Sequence, residues 1–470
     1  MEIKPLDLSE FVESTAQGFG IPGASVGVLV DGKQSYATYG VTSIENPLPV
    51  DTNTLFLLGS VSKTYTATAL MRLVFEGRIE LDAPVRRYIP ELKLADEQTA
   101  AAVTVKQLLN HTSGMSSGMI LETGEGDNAL ANYVAALPEL HLIASPGQMA
   151  SYSQAGYSLA GRVIEKVTGM TFESAMATLL FEPLGLSNSF SARDEVMTRR
   201  FAVGHNRSPD GKLSIARLWR RPRGDNPGGG IAASIADQIW WAKFHLGDGH
   251  SENGKRFLPA NLLQYMKQPS VTLRGSNFGT AIGIGWFLRE VDGAATIGHL
   301  GSANGQFAEI VIVPDRGLAV CSLSNAGPDG IPFNHKVVQW VLKGYLGLTE
   351  CEPETMPFDE SHAVEYVGRY SDNAQEVIVS IERGKGIRIG CHLKPEIRGA
   401  STKDFPPDHE PFEFSFLPGG QDEYIIISGA FKGLRGYFDR DKKGDVVGIH
   451  VAGRQYRREP NVAIEDTDES

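Results

Sequence analysis

In the stretch Leu58-Gly59-Ser60-Val61-Ser62-Lys63-Thr64-Tyr65 a serine precedes a lysine by three positions, where the pattern predicts the start of a helix. Residues three apart share a helix face, so the Ser60 hydroxyl and the Lys63 amine can meet over one turn as a nucleophile beside its base. The positive end of the helix dipole favours an alkoxide there and disfavours a nearby ammonium. Taken alone the spacing says little, because an N-cap serine followed by a solvated lysine looks the same. Two distant stretches bear on it. In Ser151-Tyr152-Ser153-Gln154 a loop enters a helix, and a tyrosine beside an ammonium can accept a proton from a serine hydroxyl, or can simply be an aromatic lid on the core. In Ile297-Gly298-His299-Leu300-Gly301-Ser302-Ala303-Asn304-Gly305 a histidine stands in a glycine-rich strand, where backbone can approach a ligand closely or the ring can merely pack.

The elements that must bring these stretches together follow from periodicity. Ala24 to Val30 and Gln34 to Tyr39 flank Asp31-Gly32, the signature of a β-hairpin. From Thr64 to Gly77, Tyr65, Ala69, Leu70, Leu73 and Val74 recur at helical spacing, and Gly77 is a natural stop. Helix patterns continue at 104–114, 132–136, 157–168 and 171–180. Strand patterns return at 283–289, 306–313 and 317–324, with Asp315-Arg316-Gly317 as a turn, before a closing helix over 333–346. Early strands, a long helical insertion and later strands predict an α+β domain, an antiparallel sheet flanked by helices and closed by sequence-distant pieces.

An acidic, proline-bearing linker at 351–360 separates this domain, 1–350, from a second one at 361–465. There, short alternating strands at 376–381, 387–389, 412–416, 424–427 and 446–451, with turns at Arg383-Gly384-Lys385-Gly386 and Pro418-Gly419-Gly420, predict a small antiparallel β-barrel. Asp439 to Gly444 superficially resembles a calcium loop, but His450 stands where a bidentate glutamate is needed, so a charged hairpin turn is expected. The polar tail Asp466 to Ser470 reads as disordered.

A 470-residue chain suits two domains, and 41% hydrophobic with 21% charged residues is ordinary globular composition. A formal charge of −12 leaves no basic footprint for nucleic acid and little attraction to anionic membranes, so a small molecule or short peptide is the expected partner. No apolar run approaches the ~18 residues of a membrane span, and the first residues lack a signal-peptide pattern. A cytoplasmic location is expected, or an extracytoplasmic one if a signal has been removed. Cys321, Cys351 and Cys391 are scattered and read as buried free thiols. The basic cluster Arg217 to Arg223 reads as a solvated loop, or as a cleft edge in which Arg220 and Arg221 grip a substrate carboxylate.

Ser60-x-x-Lys63, then Tyr152-Ser153-Gln154, then His299-Leu300-Gly301, in this order and at these separations, resemble the three motifs of the serine β-lactamase and penicillin-binding-protein superfamily. The stretches 109–114, 156–159, 227–234 and 320–325 resemble its class-C-like branch of esterases, D-aminopeptidases and alkaline D-peptidases. The resemblance implies that Ser60 is acylated, that Lys63 takes or relays its proton, and that Tyr152 shares the base work and protonates the leaving group. It implies that His299, where many relatives carry lysine, adds positive potential near the substrate. The backbone N–H groups of Ser60 and Ser302 would form the oxyanion hole, with Gln154, Gly301 and Asn304 in contact with substrate. No metal or organic cofactor is implied.

Gln154 replaces the family's usual asparagine, which puts its contact to a substrate amide in question. The histidine at 299 weakens the case for β-lactam hydrolysis. The added barrel resembles the lipocalin-like domain of D-aminopeptidases and of a compartmentalised archaeal peptidase, where it restricts access to the cleft or builds oligomers. The expected activity is hydrolysis of small amides or peptides, including those with D-residues. The alternatives are a carboxylesterase or acyltransferase of the same fold, or a non-catalytic penicillin- or peptide-binding sensor.

Overall fold

A computed structural model of the protein describes residues 7–118, 121–208, 210–219, 222–384, 386–400, 408, 410–419 and 422–460. Arg220, Arg221, the turn residues Lys385 and Gly420, and the tail from Asp466 lie outside the described residues.

The hairpin at Asp31-Gly32 forms as expected: both residues take positive φ, 49° and 76°, the primed turn whose twist matches its strands. Its strands, Gly23–Val30 and Lys33–Gly40, end an eight-stranded sheet that continues through Leu318–Ser324, Gln306–Val313, Ala294–Ala303, Phe287–Val291, Ala281–Ile282 and Val271–Thr272. Every neighbouring pair is antiparallel. The first hairpin therefore pairs with strands from the far end of the domain. Alternation sends Val26, Val28, Val311 and Val320 to one face, against the helices Leu8–Phe19 and Gly330–Val341. The other face, including Ile310, Ile312, Ala319 and Leu323, packs against the helical region.

At the centre of that region lies the helix Ser62–Phe75, preceded by a single 3-10 turn, Gly59–Val61. It is buried on almost every side, which requires its polar residues to find partners. Thr64 and Thr68 hydroxyls donate to carbonyls one turn back, and Thr66 donates to Pro227 O at 2.6 Å. Gly77, at φ 70°, follows its end. The run 283–289, expected as one strand, is instead broken between Ile282 and Phe287. Gly285 turns there at φ 77°, and a Cβ on it would fall 2.5 Å from Ala67 Cβ. The chain is bent by close packing against the central helix.

After residues 351–359, which hold no regular secondary structure, eight strands close a barrel. They are Gly368–Ser371, Gln375–Glu382, Gly386–Leu393, Phe412–Phe416, Glu423–Ile426, Arg435–Arg440, Val446–Val451 and Arg454–Arg458. Pairing of Tyr370 with Arg458 joins first to last, which removes the exposed sheet edges. Inward alternation places Val377, Val379, Phe414, Tyr424, Phe438 and Ile449 in its core. The strands Gly368–Ser371, Arg435–Arg440 and Arg454–Arg458 were not predicted; in the last two, Arg435, Arg440, Arg454, Arg457 and Arg458 interrupt the apolar alternation. Asp441 closes the hairpin 440–446 by accepting the Lys443 and Asp445 N–H groups, as a turn residue does. The thiol expectation needs correction: all three cysteines are free, but Cys351 is exposed and Cys391 half-buried.

Candidate active site

The Ser60 turn and the His299 strand interlock through backbone. Gly59 sits at φ 51°, and a Cβ there would fall 2.6 Å from the Ser302 nitrogen. A Cβ on Gly301 would fall 1.9 Å from Leu58 O and 3.3 Å from the Ser60 nitrogen. Only two glycines allow so close an approach, and the approach carries the amide nitrogens of Ser60 and Ser302 to one place.

Lys63 is fully buried, and its ammonium lies 3.3 Å from Ser60 Oγ. It also donates to Gly228 O at 2.6 Å and to Gln154 Oε1 at 2.8 Å. A buried ammonium with this many oxygen partners is held at one point, beside the hydroxyl. Tyr152 presents its ring 4.8 Å from the same nitrogen. The loop-to-helix junction fixes it: Ser153 caps the helix Gln154–Thr168 by accepting the Gly156 N–H, and its own N–H donates to His111 Nδ1 at 3.0 Å. His111 therefore carries its proton on Nε2. Burial, reinforced by the charge of Lys63, pushes its pKa well below the ordinary histidine value.

His299 reaches the same cleft, with its ring 6.4 Å from that of Tyr152 and 4.4 Å from that of Phe287. Burial first, and the Lys63 charge second, push its pKa down to about 3. The ring is neutral near neutral pH, which corrects the expectation of positive potential at this position. Its Nδ1 lies 2.6 Å from Leu300 O. A carbonyl only accepts, so the proton sits on Nδ1 and Nε2 offers a lone pair.

Two of the residues expected to contact substrate are elsewhere. Gln154 turns both ends of its amide inward, Oε1 to Lys63 and Nε2 to Asp225 O at 3.0 Å, so it positions the lysine. Its extra methylene is accommodated because residue 228 is glycine: a Cβ there would fall 2.1 Å from Gln154 Nε2. Asn304 occupies the turn after the His299 strand, donates to Leu218 O and accepts from Asn206, and does not line the cleft. Gly301 does line it.

The cleft encloses about 310 Å³ and includes Ser60, Tyr152, His299 and Ser302. One wall comes from the barrel. The hairpin between Val446–Val451 and Arg454–Arg458 turns at Ala452 and Gly453, at φ 48° and 74°, and its tip enters the cleft. Gly453 O accepts the Tyr152 N–H at 2.8 Å, and the Gln455 N–H donates to Ser151 Oγ at 3.2 Å. The Arg454 guanidinium stands 4.8 Å from the centre of the Tyr152 ring. Two cations thus face one phenol. Sequence reasoning missed Arg454, and its only signal was the tight turn Val451-Ala452-Gly453-Arg454 at the end of the last strand pattern. Among the described residues, no group of three His, Cys, Asp or Glu is arranged to hold a metal ion, and no helix is long and apolar enough to cross a membrane.

A buried lysine on a serine, a tyrosine ring facing that lysine, and converging backbone amides are consistent with a serine hydrolase. Comparison with known proteins agrees. The Beta-lactamase family profile matches residues 8–336. "Penicillin-binding protein 4" of Amycolatopsis lactamdurans is 35% identical over 310 residues, 65% of this chain and 81% of that protein. A "Beta-lactamase" of Providencia stuartii is 35% identical over 187 residues, 40% of this chain and 47% of its own. Among solved structures, SurE in complex with D-Leu superposes with a TM-score of 0.73 at 23% identity, covering 96% of this chain and 98% of that one. The octameric penicillin-binding protein homologue from Pyrococcus abyssi superposes with a TM-score of 0.64 at 22% identity over the same shares, a likeness of fold. By its profile match and by its identity to a penicillin-binding protein, the chain belongs to the beta-lactamase family.

Proposed function

We propose that the protein is a serine hydrolase that forms an acyl-enzyme on Ser60 and passes the acyl group to water, acting on small amides or peptides, including those with D-residues. The observation that carries this reading is the fully buried Lys63 ammonium 3.3 Å from Ser60 Oγ. Ser60 Oγ attacks the substrate carbonyl while its proton passes to Tyr152, which reacts as a phenolate stabilised by the Lys63 ammonium. The N–H groups of Ser60 and Ser302 stabilise the oxyanion, and Tyr152 returns the proton to the leaving group. Water then repeats the sequence in reverse roles and frees the acid. His299 contributes an acceptor lone pair rather than a charge, and Gln154 and Gly228 hold the lysine.

The D-residue preference draws support from a structural relative solved with D-Leu and from the shared barrel. Residues 1–350 form the hydrolase domain in this reading, 351–360 the linker and 361–465 the barrel. Self-association, expected by analogy with an octameric relative, is read by light scattering. A screen of D- and L-aminoacyl anilides, short-chain esters and a cephalosporin, with Ser60→Ala beside the wild type, tests the assignment. Turnover of amides lost in Ser60→Ala supports it. Ester turnover alone moves the reading to a carboxylesterase. Failure of a fluorophosphonate to label Ser60 overturns it in favour of a binding protein.

A further inference from the structure

The cleft does not end at the catalytic residues. Cross-strand pairing places His299 with Ile310 and Gly301 with Ala308 on one face of the sheet, and Leu300 with Glu309 and Ser302 with Phe307 on the reverse face. Beyond Gly298 the strand Phe287–Val291 no longer pairs with the His299 strand, so that strand's edge is open. The same 310 Å³ space runs from Ser60 across this edge and continues on the reverse face.

There it becomes an apolar trough. Leu300 and Phe307 form its floor, Ile331 at the start of the helix Gly330–Val341 one side, and Phe431 and Leu434 of the barrel loop 427–434 the roof. Leu300, Ile331, Phe431 and Leu434 are all only partly buried by the protein's own atoms. Phe307 is seated by glycines: a Cβ on Gly330 would fall 2.7 Å from its ring. Clustered, half-covered apolar side chains in a concavity continuous with a nucleophile fit a ligand group better than solvent. The carboxylate in the trough, Glu309, lies 3.7 Å from His335 Nδ1. Burial lowers the pKa of His335, but hydrogen bonds to Glu309 and Glu350 outweigh it and carry the imidazolium up to about 10. Glu309 is thereby compensated within the protein and makes no demand for a cationic ligand.

We propose that this trough is a specificity subsite that binds a bulky apolar arm, aliphatic or aromatic, attached to one side of the scissile carbonyl, with the barrel loop supplying half of the contact. The proposal rests on the hydrolase reading for the position of the scissile bond.

Two series test it, one for each arm: p-nitrophenyl acetate, butyrate and octanoate for the acyl side, and S-methyl, S-butyl and S-octyl thioacetate, with the released thiol read by a chromogenic aromatic disulfide, for the leaving side. In one series kcat/KM should rise at least tenfold from shortest to longest, as apolar pockets discriminate. Ile331→Trp, which fills the trough, and Phe431→Ala, which removes its roof, should each reduce that long-to-short ratio about tenfold, mainly through KM. Fluorophosphonate labelling of Ser60 and an unchanged circular dichroism spectrum identify folded variants. A flat profile in both series, with Ser60 labelled, overturns the trough and leaves the hydrolase reading intact. If Ser60 does not label, calorimetric titration of sodium octanoate into the wild type and Ile331→Trp decides the trough alone: binding weakened by the tryptophan supports it, and equal or absent binding overturns it.

Discussion

The two walls of the cleft are built in opposite ways. On the nucleophile side, Gly59, Gly228 and Gly301 leave no room for a Cβ, the 3-10 turn and the His299 strand touch through backbone, and Lys63 is fully buried. On the barrel side, loops and hairpin tips present side chains that the protein covers only in part, Phe431, Leu434 and Arg454 among them. The first wall holds atoms at fixed separations, which bond making requires; the second is a surface that side-chain exchange can reshape. In the proposed reading chemistry belongs to the first wall and selectivity to the second, and the two meet at Tyr152, whose N–H is held by Gly453 O.

Substitutions on the two walls should fail differently. Ser60→Ala removes the nucleophile and should lower kcat at least about 10⁴-fold for every substrate. Burst titration with a chromogenic ester, beside an unchanged thermal melt, measures it; residual turnover near wild type would mean that the rigid wall is not the reacting one. Gly301→Ala comes next. Its Cβ must displace Leu58 O, separating the Ser60 and Ser302 amides, and kcat should fall about 10²- to 10³-fold with little change in KM, the loss expected from one oxyanion donor. If KM moved instead, the interlock would serve binding.

On the barrel wall, Arg454→Ala removes one of the two cations over the Tyr152 ring. A desolvated cation–π contact is worth about 0.5–2 kcal/mol, so kcat/KM should fall about 2- to 30-fold, to different extents for different substrates. A uniform loss as large as that of Gly301→Ala would erase the distinction between the walls. The smallest effect concerns His299. Its pKa in the folded protein is about 3, below the ordinary 6.5, so only the unfolded chain takes up its proton between these values. Stability should therefore be lost as pH falls from about 6.5 toward 3, and His299→Asn should lessen that loss. Urea midpoints at pH 7.5 and 5 for both proteins measure it, and an identical drop would show that other buried histidines, such as His111, dominate.

Much of the hydrolase domain is legible in periodicity. The Asp31-Gly32 hairpin, the helix ended by Gly77 and the strands at 306–313 and 317–324 are local patterns that tertiary packing left intact. The break at Gly285 was not legible, because it answers to Ala67 on a helix far away in sequence. Among the site residues, Ser60, Tyr152 and His299 line one cleft, and Lys63 is buried beside Ser60 Oγ. The roles of Gln154 and Asn304 were not legible, because amides engage whichever donors and acceptors the fold delivers, here Lys63, Asp225, Leu218 and Asn206.

What the sequence determined by itself is the set of candidate reactive groups and their order: a serine and a lysine one turn apart, a tyrosine at a helix entrance and a histidine in a glycine-rich strand. Glycine placement belongs to the same account, since no other residue permits the backbone approach at 59 and 301. Only the tertiary structure decided the charge state of the cleft and the shape of its far wall. Burial beside Lys63 makes His299 neutral, and closure of the barrel carries Arg454, Phe431 and Leu434 to the cleft that Ser60 lines. Both are outcomes of long-range packing, in which desolvation and proximity depend on neighbours that no local pattern names.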